Sequence, residues 1–402
     1  MNRICLLKNK ILDYAWGTNN FIPELLGKNT PFEKPQAEMW MGSHKKAPSK
    51  AILDEGIVPL DLLIQKYPED ILGVTTSEKF SSELPFLFKV LSASKPLSIQ
   101  AHPDKKQAQM GFARENSKGI PIDDPERNYR DNNHKPELIC ALTTMWALKG
   151  FRKPLEILNL FEPLREISVR CGIDVLQKQP EETGIKRFFL NLMNIDKNTA
   201  ESLTEDVVKI IHPIKTKNPA YEWLDKLIME YPGDIGALSS LYLNVLKLNP
   251  GEAVYLPARE LHAYLAGSGL EIMANSDNVL RGGLTKKHVD RTELMNVLSF
   301  APVTPEIIKR VKTETFETFF PSKAEEFILS VIDLPDENSR YKKDGQRSVE
   351  IILCIKGNAE ISDISTGERK ILIKGTSMLI PAAVRGYSIK GKATIYKASV
   401  PL

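Results

Sequence analysis

Two of the six histidines in this chain stand in strand-like runs beside other polar groups. In Pro96-Leu-Ser-Ile-Gln-Ala-His-Pro103 polar and apolar residues alternate. A strand sends every second side chain to one face, so Ser98, Gln100 and His102 project together while Leu97, Ile99 and Ala101 face into packing. Such polar groups are costly to bury without partners. Two later segments supply partners. His134-Lys-Pro-Glu137 leads into the apolar run Leu138–Leu142 and puts Lys135 and Glu137 on one face. Leu261-His-Ala-Tyr-Leu265 alternates again and puts His262 and Tyr264 together. Gln100, His102, Glu137 and His262 thus form a candidate metal site. Nitrogen and oxygen ligands without sulfur suit zinc, with manganese, cobalt, nickel and iron also open. A mixed histidine–carboxylate set with a free position belongs to catalysis more than to structure. His212, before Pro213, and His288, in a Lys-Lys-His run, read as surface or hydrogen-bonded histidines.

The stretch Leu270–Thr285 carries further candidates. Glu271 lies in a strand-like run, and Arg281 precedes a Gly-Gly pair that lets backbone and ligand approach closely. Lys286 and Lys287 follow. These residues read either as a solvated loop with a helix start near Thr285 or as a cationic clamp for an anionic substrate.

The elements that must position these groups follow from patterning. With 402 residues the chain has room for two or three domains. Its 42% hydrophobic and 26% charged residues are ordinary for a globular protein, and a net charge of +3 gives no global argument for nucleic acid or an anionic membrane. No run approaches the ~18 apolar residues of a membrane helix, and the first ten residues lack a signal-like apolar stretch. Cys5, Cys140, Cys171 and Cys354 are scattered without a C-x-x-C pair, which reads as reduced thiols in a cytoplasmic protein.

Residues 61–67 and 104–115 read as helices, and Gly119–Asn133 as a long loop. From about 153 to 241 apolar residues recur at helical spacing, giving a helical subdomain. Strand patterning returns at Tyr242–Leu248 and dominates after 325, with turns expected at Lys356-Gly-Asn358 and Thr366-Gly-Glu368. Gly251-x5-Pro257-x4-His262 is repeated as Gly375-x5-Pro381-x4-Gly386, glycine standing where the histidine stood. A glycine turn, a short apolar strand and a proline bend describe one corner of a small β-barrel. The repeat suggests two related barrels, the second without its metal ligand.

The motifs Pro96–Pro103, His134–Glu137 and His262–Tyr264 resemble those of the type I mannose-6-phosphate isomerases, as do Tyr14–Gly17, Ala37–His44 and Glu271–Thr285. The resemblance runs from about residue 10 to 300; Ala15 stands where an acidic residue is more usual, and no motif past 325 matches. It implies a mainly β fold of two cupin-like barrels plus a helical insertion. The expected division is 1–152 with 242–324 as the catalytic barrel, 153–241 as the insertion, and 325–402 as a metal-free barrel.

It further implies one zinc per chain on Gln100, His102, Glu137 and His262, and an active-site arginine at Arg281. The activity expected is reversible isomerisation of D-mannose 6-phosphate and D-fructose 6-phosphate. Lys135 and Glu271 are the candidates for proton handling, without a choice between them. Ser98, Tyr264, Lys286 and Lys287 are the candidates for holding the sugar phosphate. A cytoplasmic monomer binding neither nucleic acid nor membrane is expected. Two other readings are a cupin iron oxygenase, which a glutamine ligand disfavours because O2 chemistry needs open positions, and a sugar-phosphate-binding cupin without turnover.

Overall fold

The computed structural model describes residues 1–402. Its strands form two antiparallel sheets, of ten and eleven strands. In the first, the long strand His262–Ala274 pairs with Phe86–Ala93, Glu137–Ala141 and Met145–Phe151, and through His262 with Ile99–Ala101. In the second, Gly386–Ser399 pairs with Ile328–Leu334, Arg340–Asp344 and Glu350–Asp363.

The repeat read from the sequence is a repeat of structure. Gly251 and Gly375 have φ of +87° and +86°, a region open to glycine at little cost. Each donates its N–H to the neighbouring strand, Gly251 to Ala141 O at the end of Glu137–Ala141 and Gly375 to Cys354 O within Glu350–Asp363, both at 2.8 Å. The short strands Ala253–Leu256 and Ser377–Ile380 follow, with Leu256 opposite Glu137 and Ile380 opposite Glu350. Pro257 and Pro381 end them, and His262 and Gly386 open the two long strands.

The duplication also locates the helices. Phe151 pairs with Leu243 across a hairpin that encloses residues 152–242. The corresponding hairpin of the second sheet joins Asp363 to Arg369 by a short turn. The helical subdomain is therefore an insertion into one hairpin, and its apolar periodicity supplies its seat. Ile185, Phe188, Phe189 and Leu192 form one buried stripe of Glu182–Met193, and Phe189 packs edge-on to Phe151 at 5.4 Å. Each such fully buried side chain contributes about 1.5–3 kcal/mol.

Strand pairing crosses the expected domain boundaries at both ends. Cys5–Lys8 pairs with Ser377–Ile380 and with Lys50–Leu53, which in turn pairs with Gly56–Pro59, so these N-terminal strands extend the second sheet. Val311–Lys312 and Glu317–Phe320 also belong to it, so it begins before residue 325. The physical reason is an edge: Ser377–Ile380 would otherwise present unpaired backbone to solvent. The two sheets also share one apolar cluster, in which Phe88, Leu138 and Leu270 meet Leu7, Phe327, Leu353 and Leu379. The turn expected at Lys356–Asn358 is a bulge within the continuous strand Glu350–Asp363, with the register slipping between Cys354 and Lys356 and Gly357 at φ +75°.

Candidate metal centre and active site

His102 follows the strand Ile99–Ala101 and His262 opens the strand His262–Ala274; both are fully buried. Their Nδ1 atoms point at backbone carbonyls, His102 at Asn278 O (2.7 Å) and His262 at Glu260 O (3.0 Å). A carbonyl only accepts, so each Nδ1 carries the proton and each Nε2 presents a lone pair. Both lone pairs face one carboxylate: His102 Nε2 lies 3.3 Å from Glu137 Oε1, and His262 Nε2 lies 3.2 Å from Glu137 Oε2. His102 Nε2, His262 Nε2 and Glu137 Oε2 are buried without a hydrogen-bond partner. Lone pairs facing an anion in a dry site need a cation among them.

At His102 a proton does not fill that need near neutrality. Burial, aided by the Lys135 ammonium, pushes the His102 imidazole down to about 4. Burial alone would raise the Glu137 carboxyl, but Lys135 and His102 outweigh it and hold it well below the ordinary range. The three ligand atoms lie within 4.8 Å of one another, as one metal ion requires.

Register supplies the neighbours. His262 is opposite Gln100, and Gln100 is opposite Arg281 on the strand Leu280–Gly283. Directly paired residues share a face, so His262, Gln100 and Arg281 form a row across three strands. Gln100 stands half-buried beside the triad. Lys135 is buried and its Nζ lies 2.9 Å from Glu137 Oε1. Ser98 is half-buried two residues before Gln100.

Asn278, whose carbonyl orients His102, is itself held by the long loop before the second motif. Its amide donates to Asp131 O and Asn133 O, each at 2.8 Å, and its Oδ1 accepts from Arg130 N at 2.7 Å.

Glu271 and Tyr264 lie on one strand that bends at Gly267 (φ +107°), so the Tyr264 hydroxyl donates to Glu271 Oε1 at 2.7 Å. The Tyr264 hydroxyl, expected on the substrate, is engaged by this carboxylate. Lys89 was not singled out in the sequence. It is buried on the strand Phe86–Ala93, with Nζ 2.9 Å from Glu271 Oε2 and 3.9 Å from Glu38 Oε1. Burial alone would lower this ammonium, but Glu271, Glu38 and Glu137 outweigh that and hold it above the ordinary lysine range. Trp40 Nε1 completes the network by donating to Glu38 Oε2 at 2.7 Å.

At the outer side, Arg281 makes no ion pair. Burial, then the charge of Arg130, lowers its affinity for its proton. Lys287 is lowered likewise by burial and by Arg281, Arg130 and Lys46. Three unpaired cations, Arg281, Arg130 and Lys287, are thus gathered within each other's field. Arg130 carried no signal beyond its place in a polar loop. Lys286 is exposed and lines a groove of about 900 Å³ between the Gly282–Lys286 loop and the helical insertion.

The second sheet retains carboxylates at matching positions but no metal cluster. Glu350 matches Glu137, and Glu317, opposite Ile332, matches Glu38, opposite Leu91. Lys397, opposite Ile352 and Ser330, takes the place of Glu271, which is opposite Ile139 and Lys89. The result is a closed charge cluster: Lys397 Nζ lies 2.7 Å from Glu317 Oε1 and 3.3 Å from Glu350 Oε1, and Arg347 pairs with Glu350 at 3.0 Å.

Residues 4–154 match the family model for the type I phosphomannose isomerase catalytic domain, and residues 316–400 that for the mannose-6-phosphate isomerase cupin domain. The latter covers the stretch in which no motif was legible. The chain is 40% identical to mannose-6-phosphate isomerase of Escherichia coli (strain K12) over 390 residues, covering 96% of each chain. It is 32% identical to the Homo sapiens mannose-6-phosphate isomerase, covering 96% of this chain and 95% of the relative. Among solved structures, zinc-bound mannose 6-phosphate isomerase superimposes with a TM-score of 0.90 at 36% identity, covering 99% of this chain and 100% of that one. A point mutant of phosphomannose isomerase from Salmonella typhimurium gives 0.91 at the same identity and coverage.

Proposed function

The chain belongs to the type I phosphomannose isomerase family, and from that premise we propose how its own residues interconvert D-mannose 6-phosphate and D-fructose 6-phosphate. His102, Glu137, His262 and Gln100 would hold the zinc, which when bound supplies a Lewis acid for the oxygens of the reacting carbons. The observation that carries this reading is the orphaned set of His102 Nε2, His262 Nε2 and Glu137 Oε2 around one point.

The reaction removes the proton on C2 of the aldose, leaves the electron pair in a C1–C2 enediol as the C1 oxygen takes up a proton, and returns a proton to C1 as the C2 hydroxyl gives up its proton and becomes the carbonyl. Two charged groups adjoin the centre for that transfer. Lys135 lies on the metal-facing carboxylate, and Glu271 is poised between the Lys89 ammonium and the Tyr264 hydroxyl. Arg281 completes the row of His262 and Gln100, where it would stabilise charge developing on the sugar oxygens. Arg130 and Lys287 beside it suit a dianionic phosphate. Ser98, just before the strand that carries Gln100, would hold a sugar hydroxyl.

The protein is further read as a monomer of the cytoplasm; four free, buried cysteines support a reducing compartment. Sedimentation equilibrium tests the monomer. The decisive experiment on function takes metal-stripped protein with mannose 6-phosphate in D2O and restores zinc. Ketose formation with deuterium entering at carbon must begin only on zinc addition; zinc-dependent binding without turnover would leave a sugar-phosphate-binding module.

A further inference from the structure

The loop that follows Arg281 is built against its own backbone preferences. The register slips between Arg281 and Gly283, and Gly283 has φ +135°. Leu284, a buried leucine, has φ +55°, a left-handed conformation that branched side chains rarely adopt. Such strain persists where surrounding contacts over-determine it.

The contacts come from the turn at the end of the helical insertion. Asp234 Oδ2 accepts the Thr285 N–H at 3.0 Å while Oδ1 accepts the Gly236 N–H at 2.8 Å. Gly236 and Gly283 meet backbone to backbone; a Cβ on either would lie 2.8 Å from the other's Cα. The same turn also grips the segment leading to Gln100 and His102. Tyr231 donates its hydroxyl to Pro96 O at 2.7 Å, and Glu230 pairs with Lys95 at 2.8 Å. In the second sheet a short turn takes the place of the insertion, and no row of catalytic side chains has to be held.

We propose that Asp234 is a positioning residue for Arg281: its carboxylate, delivered by the helical insertion, pins the strained Gly283–Thr285 backbone and so aims the arginine along the row of Gln100 and His262. This rests on the reading of Arg281 as an active-site group.

The test is a double-mutant cycle of Asp234→Asn and Arg281→Ala, with kcat, KM, zinc content and thermal midpoint measured for each protein. Asp234→Asn is expected to keep one zinc per chain and to lower kcat/KM roughly ten- to hundred-fold, the scale of a small misplacement of a catalytic group. In the Arg281→Ala background the same substitution is expected to cost less than about twofold more, because the two act as one unit. A purely structural role would instead give losses that multiply, and that result overturns the proposal, as does an unchanged kcat/KM in Asp234→Asn alone. If Arg281→Ala by itself leaves kcat/KM intact, the reading of Arg281 falls and the proposal with it, a result visible without any Asp234 variant. Should Asp234→Asn fail to fold, Gly236→Ala displaces the loop from the same side and must show the same non-additivity with Arg281→Ala.

Discussion

At the residue scale the site is a set of buried groups whose partners are each other. Removing either imidazole leaves too few ligands, so His102→Ala and His262→Ala are expected to lose both zinc and turnover, measured by metal analysis alongside the isomerase assay. Glu271→Gln and Lys135→Met are expected to keep zinc and lower kcat by ~10²–10⁴, the range for acid–base groups; either variant with near-normal kcat removes that residue from proton transfer. The group His102, Glu137 and His262 was legible because each of the three sits in a short motif whose alternation betrays a polar face. Lys89 was not. It stands inside the apolar run Pro85–Leu91, and the carboxylates that explain it, Glu38 and Glu271, come from distant strands. Its one signal is the cost of a lysine in a strand buried on both faces. Lys286 and Lys287 look alike in sequence, yet adjacent residues in a loop diverge: Lys287 lies in the field of Arg281 and Arg130, and Lys286 lines the groove beside the helical insertion.

At the scale of elements, the two long strands carry the same register with opposite charge. Glu271 of the first faces Lys89, whereas Lys397 of the second faces Ser330 and neutralises Glu317 and Glu350. Lys397→Met would leave two buried carboxylates beside one another with less cation between them, and a loss of about 3–5 kcal/mol is expected in denaturant unfolding. The pH dependence has a definite sign. Burial alone would raise the Glu317 carboxyl, but Lys397 with Tyr341 holds it below the ordinary range. That contribution is present above the unfolded pKa, ~4.3, and is lost as pH falls through the folded value. The stability gap between wild type and Lys397→Met should therefore be wider at pH 7 than at pH 4; a gap that widens on acidification refutes this account. None of the cluster was legible beforehand, because it depends on cross-strand register, which composition does not encode. The bulge at Gly357 was misread as a turn for a related reason: glycine at positive φ serves both, and only the pairing of Glu350–Asp363 with Gly386–Ser399 distinguishes them.

On the scale of the whole molecule, the repeated Gly-x5-Pro spacing anticipated two related sheets, and the helical periodicity anticipated the insertion. What patterning missed is how the sheets are joined. The strand Cys5–Lys8 and the cluster shared by Leu7, Phe88, Leu270, Phe327 and Leu379 depend on contacts between distant parts of the chain. Two consequences are measurable. A fragment ending at residue 324 exposes the shared cluster and is expected to be insoluble or to lack cooperative melting. Deleting residues 1–8 uncovers the edge at Ser377–Ile380 and is expected to lower the thermal midpoint and promote association on size-exclusion chromatography. A stable, monomeric fragment 1–324 would show the sheets to be independent units.

The pairing of Cys5 with Leu379 also sets an order of events in the making of the protein. The hydroxyl of Ser377 meets the carbonyl of Leu7 across a sequence separation of 370 residues, and the middle strand of the second sheet, Gly386–Ser399, is made after every other strand of either sheet. On a ribosome, every strand of the metal-bearing sheet is available before the second sheet can close. Cys5–Lys8 can pair early with Lys50–Leu53, but its other edge must wait for Ser377–Ile380. Long-range pairing of this kind is slow and leaves an adhesive edge exposed meanwhile. Cys5 and Leu7, in that waiting strand, are where a holding chaperone would be expected to act on the nascent chain.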